Sequence, residues 1–235
     1  MENGMTYEMT ANAIISLDIS FRLCNNCYAT YVIYQKEYSN MPPKAKITKE
    51  MIMNTVLEIT RATGFETVNA RSIAGNLQCS TRPIFTCYKS MEELSSEFLA
   101  FAYEYYKQFV IRYGRSADVS PYLILPLSYI EFAQEETNLF KLLFITDMDL
   151  QMTRPEDFYN EIDNEKRAAE FSETVGIGLE RAKTIFLDLF LYTHGIAVLT
   201  ATKKLSLDRD SAEKMVSNIL SSFIRQEKPD WNLSV

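Results

Sequence analysis

The segment around Ser80 carries side chains that can donate hydrogen bonds to an anion. Ser80, Thr81 and Arg82 stand together where the pattern predicts the start of a short helix. The backbone amides of a helix's first turn can also donate, and the helix dipole favours an anion such as phosphate there. Arg82 is long enough to reach the O6 and N7 atoms of a guanine, a contact that discriminates between bases by about 1–3 kcal/mol. Pairing of Arg82 with a phosphate alone is the alternative.

Two short helices joined by a tight turn would hold these donors in place. Asn69 can cap the first helix and Ser80 the second, which would end near Tyr88. Pro83 falls at the third position of the second helix, where a missing N–H costs little. The apolar residues that would pack the two helices together are Ile73, Ala74, Leu77 and Ile84. This pattern predicts a helix-turn-helix, the alternative being a helical pair that only packs.

Further helices are predicted on both sides of this pair. Thr48 can cap a helix that Gly64 stops, and Ser90 with Glu93 makes a capping box for a fourth helix, which would run to about Gly114. Glycine and proline are few, with seven of each, and helical spacing recurs along the chain, so an all-α fold is predicted. The later helices are expected at residues 121–135, 138–147, 155–175, 179–204 and 208–226.

Three stretches of this sequence resemble the DNA-binding pattern of the TetR/AcrR family of transcriptional regulators nearly position by position. They are ITKE at 47–50, GFETVNARSIA at 64–74 and CSTRPIFTCYKSMEEL at 79–94. A weaker likeness, YTHGIA at 192–197, is similar to a signature in the effector domains of one branch. The resemblance implies a three-helix helix-turn-helix DNA-binding domain at 42–94 and a helical effector-binding and dimerisation domain at 95–235. Residues 1–41 would then be an N-terminal extension.

The resemblance also implies which residues contact DNA. The positions that match are Arg71, Ser72, Ser80, Thr81, Arg82, Pro83, Phe85, Thr86, Tyr88 and Lys89. Two departures from the family's pattern affect this region. Gln78 stands in the turn where glycine is common, so Gln78 must adopt an uncommon backbone geometry. Phe85 replaces a frequent tyrosine, and any contact that Phe85 makes is therefore apolar.

The last two predicted helices indicate a homodimer. The helix at 208–226 carries one clean apolar stripe, and the helix at 179–204 is apolar on more than one side. Two such helices exceed what one small domain covers, so burial against a second copy is the economical solution. We expect a four-helix bundle between the two copies. The residues predicted at this interface are Phe186, Met215, Ile219 and Phe223.

Aromatic residues of the second domain could line a cavity for a small-molecule effector. The candidates are Tyr129, Phe132, Phe144, Phe190 and His194. The same side chains could equally form an ordinary core. His194 could be a hydrogen-bonded core residue, a polar contact to a ligand or a metal ligand, and it lacks an acidic residue four positions away. No metal site or cofactor is predicted. No enzyme is predicted either, since no phosphate loop, nucleophile elbow or histidine pair is present.

Composition limits the setting of the protein. The net charge is −7, but residues 42–94 are net positive by 2, which suits a DNA-reading segment on an acidic protein. Four cysteines are too few for a disulfide scaffold, and a reducing cytoplasm is expected. Cys24 and Cys27 have the spacing of a metal knuckle without a second pair, so we interpret them as incidental thiols. No membrane span is predicted, because Asp188 and His194 interrupt the longest apolar run.

The first forty residues lack a sustained hydrophobic period, whereas Met41 opens a short basic arm that resembles a natural start. We therefore expect residues 1–40 to be dispensable for dimerisation and DNA binding. The sequence as a whole predicts a cytoplasmic repressor that binds a palindromic operator as a homodimer and is released by a small molecule. Two alternatives stay open: a regulator of the same fold controlled by a protein partner, and a helical enzyme that does not bind DNA.

Overall fold

The computed structural model describes residues 46–146, 148, 150–160 and 162–233. These residues contain nine α-helices and no strand, which confirms the predicted all-α class. The predictions for residues 1–41, including Cys24, Cys27 and Met41, lie outside the described residues. The helices are α1 (Lys49–Thr63), α2 (Ala70–Asn76), α3 (Arg82–Cys87), α4 (Met91–Ser116), α5 (Pro121–Glu135), α6 (Thr137–Lys141), α7 (Ile162–Val175), α8 (Leu179–Ala201) and α9 (Arg209–Arg225).

Side-chain caps fix where three of the first four helices begin. The Thr48 hydroxyl accepts a hydrogen bond from a first-turn amide at 3.2 Å. Asn69 caps α2 in a capping box, in which the Ser72 hydroxyl accepts from the Asn69 amide at 2.9 Å. Ser90 accepts from the Glu93 amide at 3.3 Å, and the Glu93 carboxylate accepts from the backbone N–H just before Ser90 at 2.7 Å. The predicted caps at Thr48, Asn69 and Ser90 are confirmed.

The predicted cap at Ser80 is wrong. Helix α3 begins at Arg82, and the preceding residue, Thr81, makes no side-chain hydrogen bond to the helix. Pro83 gives the physical reason. A capping oxygen bonds the amide two or three residues later, and for a cap at either Ser80 or Thr81 one of those two positions is Pro83, which has no N–H.

The predicted helix ends in the second half of the chain also need correction. Helix α4 continues through Gly114 to Ser116. At Gly114 a Cβ atom would sit 3.1 Å from the Ile124 side chain, so the absence of a side chain lets Ile124 approach the helix closely. The predicted helix at 138–147 is α6 followed by a π-helical turn at Leu142–Thr146. The predicted helix at 155–175 is a 3-10 turn at Pro155–Asn160 followed by α7.

The core consists of two hydrophobic clusters. The first joins α1, α2 and α3 to α4, α5 and α6 and reaches Ala197 and Ala201 of α8. The second lies mainly among α5, α8 and α9. Phe98 and Tyr106 of α4 both belong to the first cluster, so apolar packing continues across the predicted domain boundary after residue 94. Helix α4 is therefore shared between the two parts of the chain.

Helix α8 occupies the centre of the second part, where α5, α7 and α9 pack around it. Among the described residues it is the one helix long and apolar enough, by length and composition, to cross a membrane. About 39% of its most apolar window is buried within the protein. The central helix of a helical domain has the same properties, so this composition is weak evidence for a membrane span.

Two turns in the first part depend on left-handed backbone conformations. Gly64 ends α1 at φ 94° and ψ 153°, a region that is nearly restricted to glycine. Gln78, between α2 and α3, has φ 51°. The prediction that Gln78 adopts an uncommon backbone geometry is therefore confirmed.

Alanine at Gly64 should destabilise the fold by about 1–3 kcal/mol, because alanine is strained in this backbone region. Gly75 provides the matched control. It lies in α2 with open space where its Cβ would be, so Gly75→Ala should instead stabilise the protein by about 0.5–1 kcal/mol. Urea unfolding of both variants measures the two changes. Equal stability of the two variants would contradict this assignment.

Candidate nucleic-acid interface and aromatic cavity

Helices α2 and α3 are anchored by a few fully buried residues. Ile73 of α2 and Ile84 of α3 are both 0% exposed, Ala74 is also buried, and all three belong to the first hydrophobic cluster. The left-handed backbone at Gln78 turns the chain, and the next amide, that of Cys79, donates to the Ala74 carbonyl at 3.0 Å. These contacts fix α3 relative to α2. They leave the opposite side of α3 open to solvent.

The open side of α2 and α3 carries most of the residues predicted to contact DNA. Thr81 and Pro83 are half-buried, and Phe85 is 49% exposed although it is apolar. The predicted residues that are exposed are Arg71, Ser80, Arg82, Phe85, Thr86 and Lys89. Arg82, Phe85 and Thr86 recur at helical spacing and so share one face of α3, and we call these six exposed residues the α3 surface.

Three cations of the α3 surface lack an acidic partner. No carboxylate of the described residues lies within 4.0 Å of the charged groups of Arg71, Arg82 or Lys89. Lys49 differs, since it pairs with Glu97 at 2.7 Å. Unpaired cations beside an exposed aromatic ring can pair with phosphate oxygens without first breaking an internal ion pair.

Two of the residues predicted to contact DNA have side chains that are already bonded within the protein. Tyr88 is 1% exposed, and its hydroxyl donates to Glu97 at 3.0 Å. Burial raises the pKa of Tyr88, and the nearby Glu97 carboxylate raises it further. The Ser72 hydroxyl bonds the Asn69 amide and donates to backbone carbonyls, so the α2 cap already uses it. Both residues position the α3 surface and neither belongs to it.

A cavity of about 430 Å³ lies among α4, α5, α7, α8 and the π-helical turn. This volume is within the range of small-molecule sites, about 300–1,000 Å³. Of the predicted ligand contacts, Tyr129, Phe144 and Phe190 line the cavity. The other aromatic residues of its wall are Tyr103, Tyr106, Phe158 and Phe186.

Two predicted ligand contacts and one predicted interface residue lie elsewhere. Phe132 is fully buried behind the wall, with its ring centre 5.0 Å from that of Tyr106. His194 also stands behind the wall. Phe186 was expected at the dimer interface, but it lines the cavity. Helical spacing explains this correction, because Phe186, Phe190 and Thr193 share one face of α8 and that face borders the cavity.

His194 positions a wall residue. Its Nδ1 atom lies 2.9 Å from the Tyr129 hydroxyl oxygen, and its ring stacks on Phe190 with centroids 5.6 Å apart. Burial lowers the pKa of His194, so the ring is neutral at neutral pH. Among the described residues, no group of three or more His, Cys, Asp or Glu side chains could hold a metal ion. This geometry corresponds to the predicted role of a hydrogen-bonded core histidine.

The wall also contains two polar residues that were not predicted from the sequence, Arg167 and Thr193. Arg167 lies in α7, a helix rich in both charges, and such a pattern is typical of a solvated face. Thr193 lies within the YTHGIA segment at 192–197, from which only His194 was predicted to contact a ligand. The spacing of Thr193 from Phe186 and Phe190 was the signal that could have placed it on the same face.

A buried carboxylate joins the first three helices to the rest of the protein. Glu136, between α5 and α6, has a side chain only 5% exposed. It accepts a hydrogen bond from Arg61 Nε at 2.7 Å and one from the Tyr105 hydroxyl at 2.8 Å, and Arg61 Nη2 lies 2.7 Å from its Oε1 atom in an ion pair. Asn138 also donates to the Arg61 carbonyl at 3.0 Å. Because Arg61 is in the last turn of α1, these contacts fix α1 against α4 and α6.

No protein-family model matches the sequence, and no curated protein matches it. The likeness to the TetR/AcrR pattern therefore stays a resemblance of residues and spacing, and the function is proposed from that pattern and from the geometry of the two sites.

Removal of the Glu136 carboxylate should destabilise the protein markedly. Glu136→Ala leaves the Tyr105 hydroxyl and the half-exposed Arg61 without their shared acceptor, and we expect a loss of about 2–3 kcal/mol. Glu135→Ala is the control, since Glu135 is exposed and should change stability by less than about 0.5 kcal/mol. Thermal unfolding of the two variants gives the comparison. If Glu136→Ala were as stable as Glu135→Ala, the carboxylate would not hold α1 in place.

Proposed function

We propose that this protein is a DNA-binding transcriptional regulator of the TetR type. In this proposal it acts as a homodimeric repressor, and a small molecule in the aromatic cavity releases it from DNA. The observation that carries the proposal is the α3 surface, where Arg71, Arg82 and Lys89 are exposed and unpaired on a protein of net charge −7. Three exposed cations around one short helix, none of them in an ion pair with a described residue, form a surface suited to phosphates.

The geometry of α2 and α3 supports a helix-turn-helix. The turn contains Gln78 in a left-handed conformation, at the position where the resembled family commonly has glycine. Ala74 and Ile84 are buried in the same hydrophobic cluster, so one side of α3 packs against the rest of the protein. In this proposal α3 enters the major groove. Arg82 then reads a base or pairs with a phosphate, while Arg71 and Lys89 contact the backbone.

The outer faces of α8 and α9 support a dimer. Leu191 and Leu199 of α8 are 48% and 46% exposed, and Gly195 lies between them with open space above it. Ile219 and Phe223 of α9 are half-buried at the edge of the second cluster. A second copy could cover both faces in a four-helix bundle. This interface replaces the predicted Phe186 with Leu191 and Leu199 and keeps Met215, Ile219 and Phe223.

The contacts around Glu136 provide a route between the cavity and the α3 surface. Phe144 lines the cavity from the π-helical turn, which continues directly from α6. Glu136 precedes α6 and holds Arg61 of α1, and α1 packs against α2. A ligand that favours a shifted position of α6 would thereby move the α3 surfaces of the two copies. Coupling energies of this kind are typically about 1–3 kcal/mol, and the ligand must bind the shifted state better by that amount.

The cavity also favours a small molecule over a protein partner as the signal. Control by a partner protein would need an exposed apolar patch rather than internal space. The open volume of about 430 Å³ beside the π-helical turn supports a ligand within the fold. π-Helical turns are frequent at functional sites.

Substitution of the unpaired cations should weaken DNA binding. Lys89→Ala should lower affinity similarly for all duplexes and reduce the slope of log K against log salt by about 1, as expected for one lost phosphate contact. Arg82→Ala should change base preference at one position by about 5- to 150-fold if Arg82 reads a guanine, and should behave as Lys89→Ala if it contacts phosphate. Lys166→Ala, an exposed cation on α7, is the control.

Fluorescence anisotropy with labelled duplexes measures these affinities. Wild-type affinity in both Lys89→Ala and Arg82→Ala would show that the α3 surface does not bind DNA. A loss of the same size in Lys166→Ala would mean that general charge, and no particular surface, attracts the duplex.

Charged residues at the proposed interface should separate the dimer. Leu199→Glu and Ile219→Glu each place a carboxylate in an apolar contact between copies, and we expect monomers at micromolar concentration by analytical ultracentrifugation. Met152→Glu is the control, because Met152 is an exposed apolar residue outside both helices and its substitution should leave the dimer intact. A monomeric wild-type protein under the same conditions would contradict the proposed dimer.

A further inference from the structure

We propose that the cavity binds an amphipathic anion, with an apolar body against the aromatic wall and one carboxylate paired with Arg167. This inference names the ligand class for the cavity, and its regulatory consequence rests on the proposed function. The pairing itself is a property of the cavity and can be tested without DNA.

The wall of the cavity suits an apolar body. Tyr106, Tyr129 and Phe144 are in mutual edge-to-face contact, with ring centroids 4.9–6.2 Å apart. The rings therefore hold one another in place before any ligand arrives. Leu99, Leu125 and Leu189 complete the apolar part of the wall. Such a preformed surface binds aliphatic or aromatic carbon with little ordering cost.

Arg167 is the cation of this wall. Its Nε–H is buried and has no hydrogen-bond partner, and no carboxylate of the described residues lies within 4.0 Å of its guanidinium. Asp163, one helical turn earlier, also borders the cavity, but it is exposed and can remain solvated. A guanidinium stays charged at any accessible pH. An arginine held in an apolar wall is thus stabilised by a ligand that brings a counter-charge.

Among the described residues of the wall, Asp163 is the one acidic side chain that could oppose the charge of Arg167. Burial raises the pKa of both Tyr106 and Tyr129, so these hydroxyls stay protonated and neutral. Arg167 is near enough to Tyr106 to oppose part of that rise. The Asn164 amide donates to the Phe158 carbonyl at 3.0 Å and carries no charge. Apart from Asp163, which is exposed, the described wall residues leave the charge of Arg167 unopposed, so a carboxylate ligand can supply the counter-charge and a neutral or cationic head group cannot.

Thr193 is a second unpartnered polar group in the wall. The residue is 3% exposed, and its hydroxyl has no hydrogen-bond partner although it borders the cavity. A buried hydroxyl without a partner costs free energy that a polar ligand atom can recover. The cavity thus offers a cation on α7 and a hydroxyl on α8 within an apolar wall. This combination fits a molecule whose polar atoms are few and include one anionic group.

Isothermal titration calorimetry on the full chain, without DNA, tests the ligand class. The probes are two matched series that differ only in the head group: 2-naphthoate, 2-naphthamide and 2-naphthylmethylammonium, and decanoate, decanamide and decylammonium. In at least one series the carboxylate should bind ten times or more tighter than the amide, and the ammonium should bind weakest. Binding of neither carboxylate below 1 mM overturns the proposal, as does equal binding of carboxylate and amide.

Three variants show whether Arg167 is the cause. Arg167→Met should remove the preference for carboxylate over amide, lowering carboxylate affinity at least tenfold while amide affinity stays within twofold. Lys166→Met, the neighbouring exposed cation, should leave both affinities unchanged. Thr193→Val should weaken both probes, since it removes a hydrogen bond that does not depend on charge. A carboxylate preference that persists in Arg167→Met overturns the assignment, and thermal unfolding verifies that each variant is folded.

The DNA experiment separates this inference from the proposed function. If the carboxylate binds through Arg167 but the protein binds no duplex, the cavity assignment stands and the proposed regulator fails. If the protein binds a duplex but no carboxylate, the ligand class is wrong and the regulator stands. If both hold, addition of the carboxylate to the protein–DNA complex should lower DNA affinity at least fivefold, and Arg167→Met should abolish that change.

Discussion

The contact between Glu136 and Arg61 is the interaction on which the arrangement of the whole chain depends. A carboxylate that is 5% exposed is costly to bury, and here the cost is offset by a two-point ion pair with Arg61 and a hydrogen bond from Tyr105. The three residues come from α1, α4 and the junction of α5 with α6. Because an arginine–carboxylate pair with two bonds has a narrow geometry, it sets how α1, and with it the α3 surface, lies relative to the cavity.

The contact between Glu136 and Arg61 connects the two candidate sites. Without this contact, the α3 surface would be only a set of unpaired cations on a helix pair. The cavity would be only a partly open space whose wall contains an arginine without an acidic partner among the described residues. The π-helical turn lies between them, with Phe144 in the cavity wall and α6 leading back to Glu136. A π-helical turn has i-to-i+5 hydrogen bonds in place of the i-to-i+4 bonds of an α-helix, and such turns are frequent at functional sites. The proposed regulation requires a bistable element, and this turn is the candidate.

Much of the fold could be predicted from local signals. The caps at Thr48, Asn69 and Ser90 follow from residue chemistry within a few positions, whereas the left-handed turn at Gln78 was predicted from the position of glycine in the resembled family's pattern. The cap at Ser80 failed where Pro83 removes one of the two amides that it could bond. Phe186 failed for another reason: helical spacing shows that residues share a face, but not whether that face meets solvent, a cavity or another helix. Tyr88 was assigned to DNA from the resemblance alone, which does not show that its hydroxyl bonds Glu97. Glu136 with Arg61, 75 positions apart, and the unpaired state of Arg167 depend on tertiary packing, which no local pattern encodes.

Selection of duplexes from a random DNA library by the purified full-length protein tests the central claim most directly. If the chain is a homodimeric regulator with one α3 surface for each half-site, sequencing should show an enriched pseudo-palindrome. Its two half-sites should have centres about 10–10.5 base pairs apart, or slightly more. Absence of any enriched sequence at low salt, or enrichment of a single half-site without symmetry, would contradict the account.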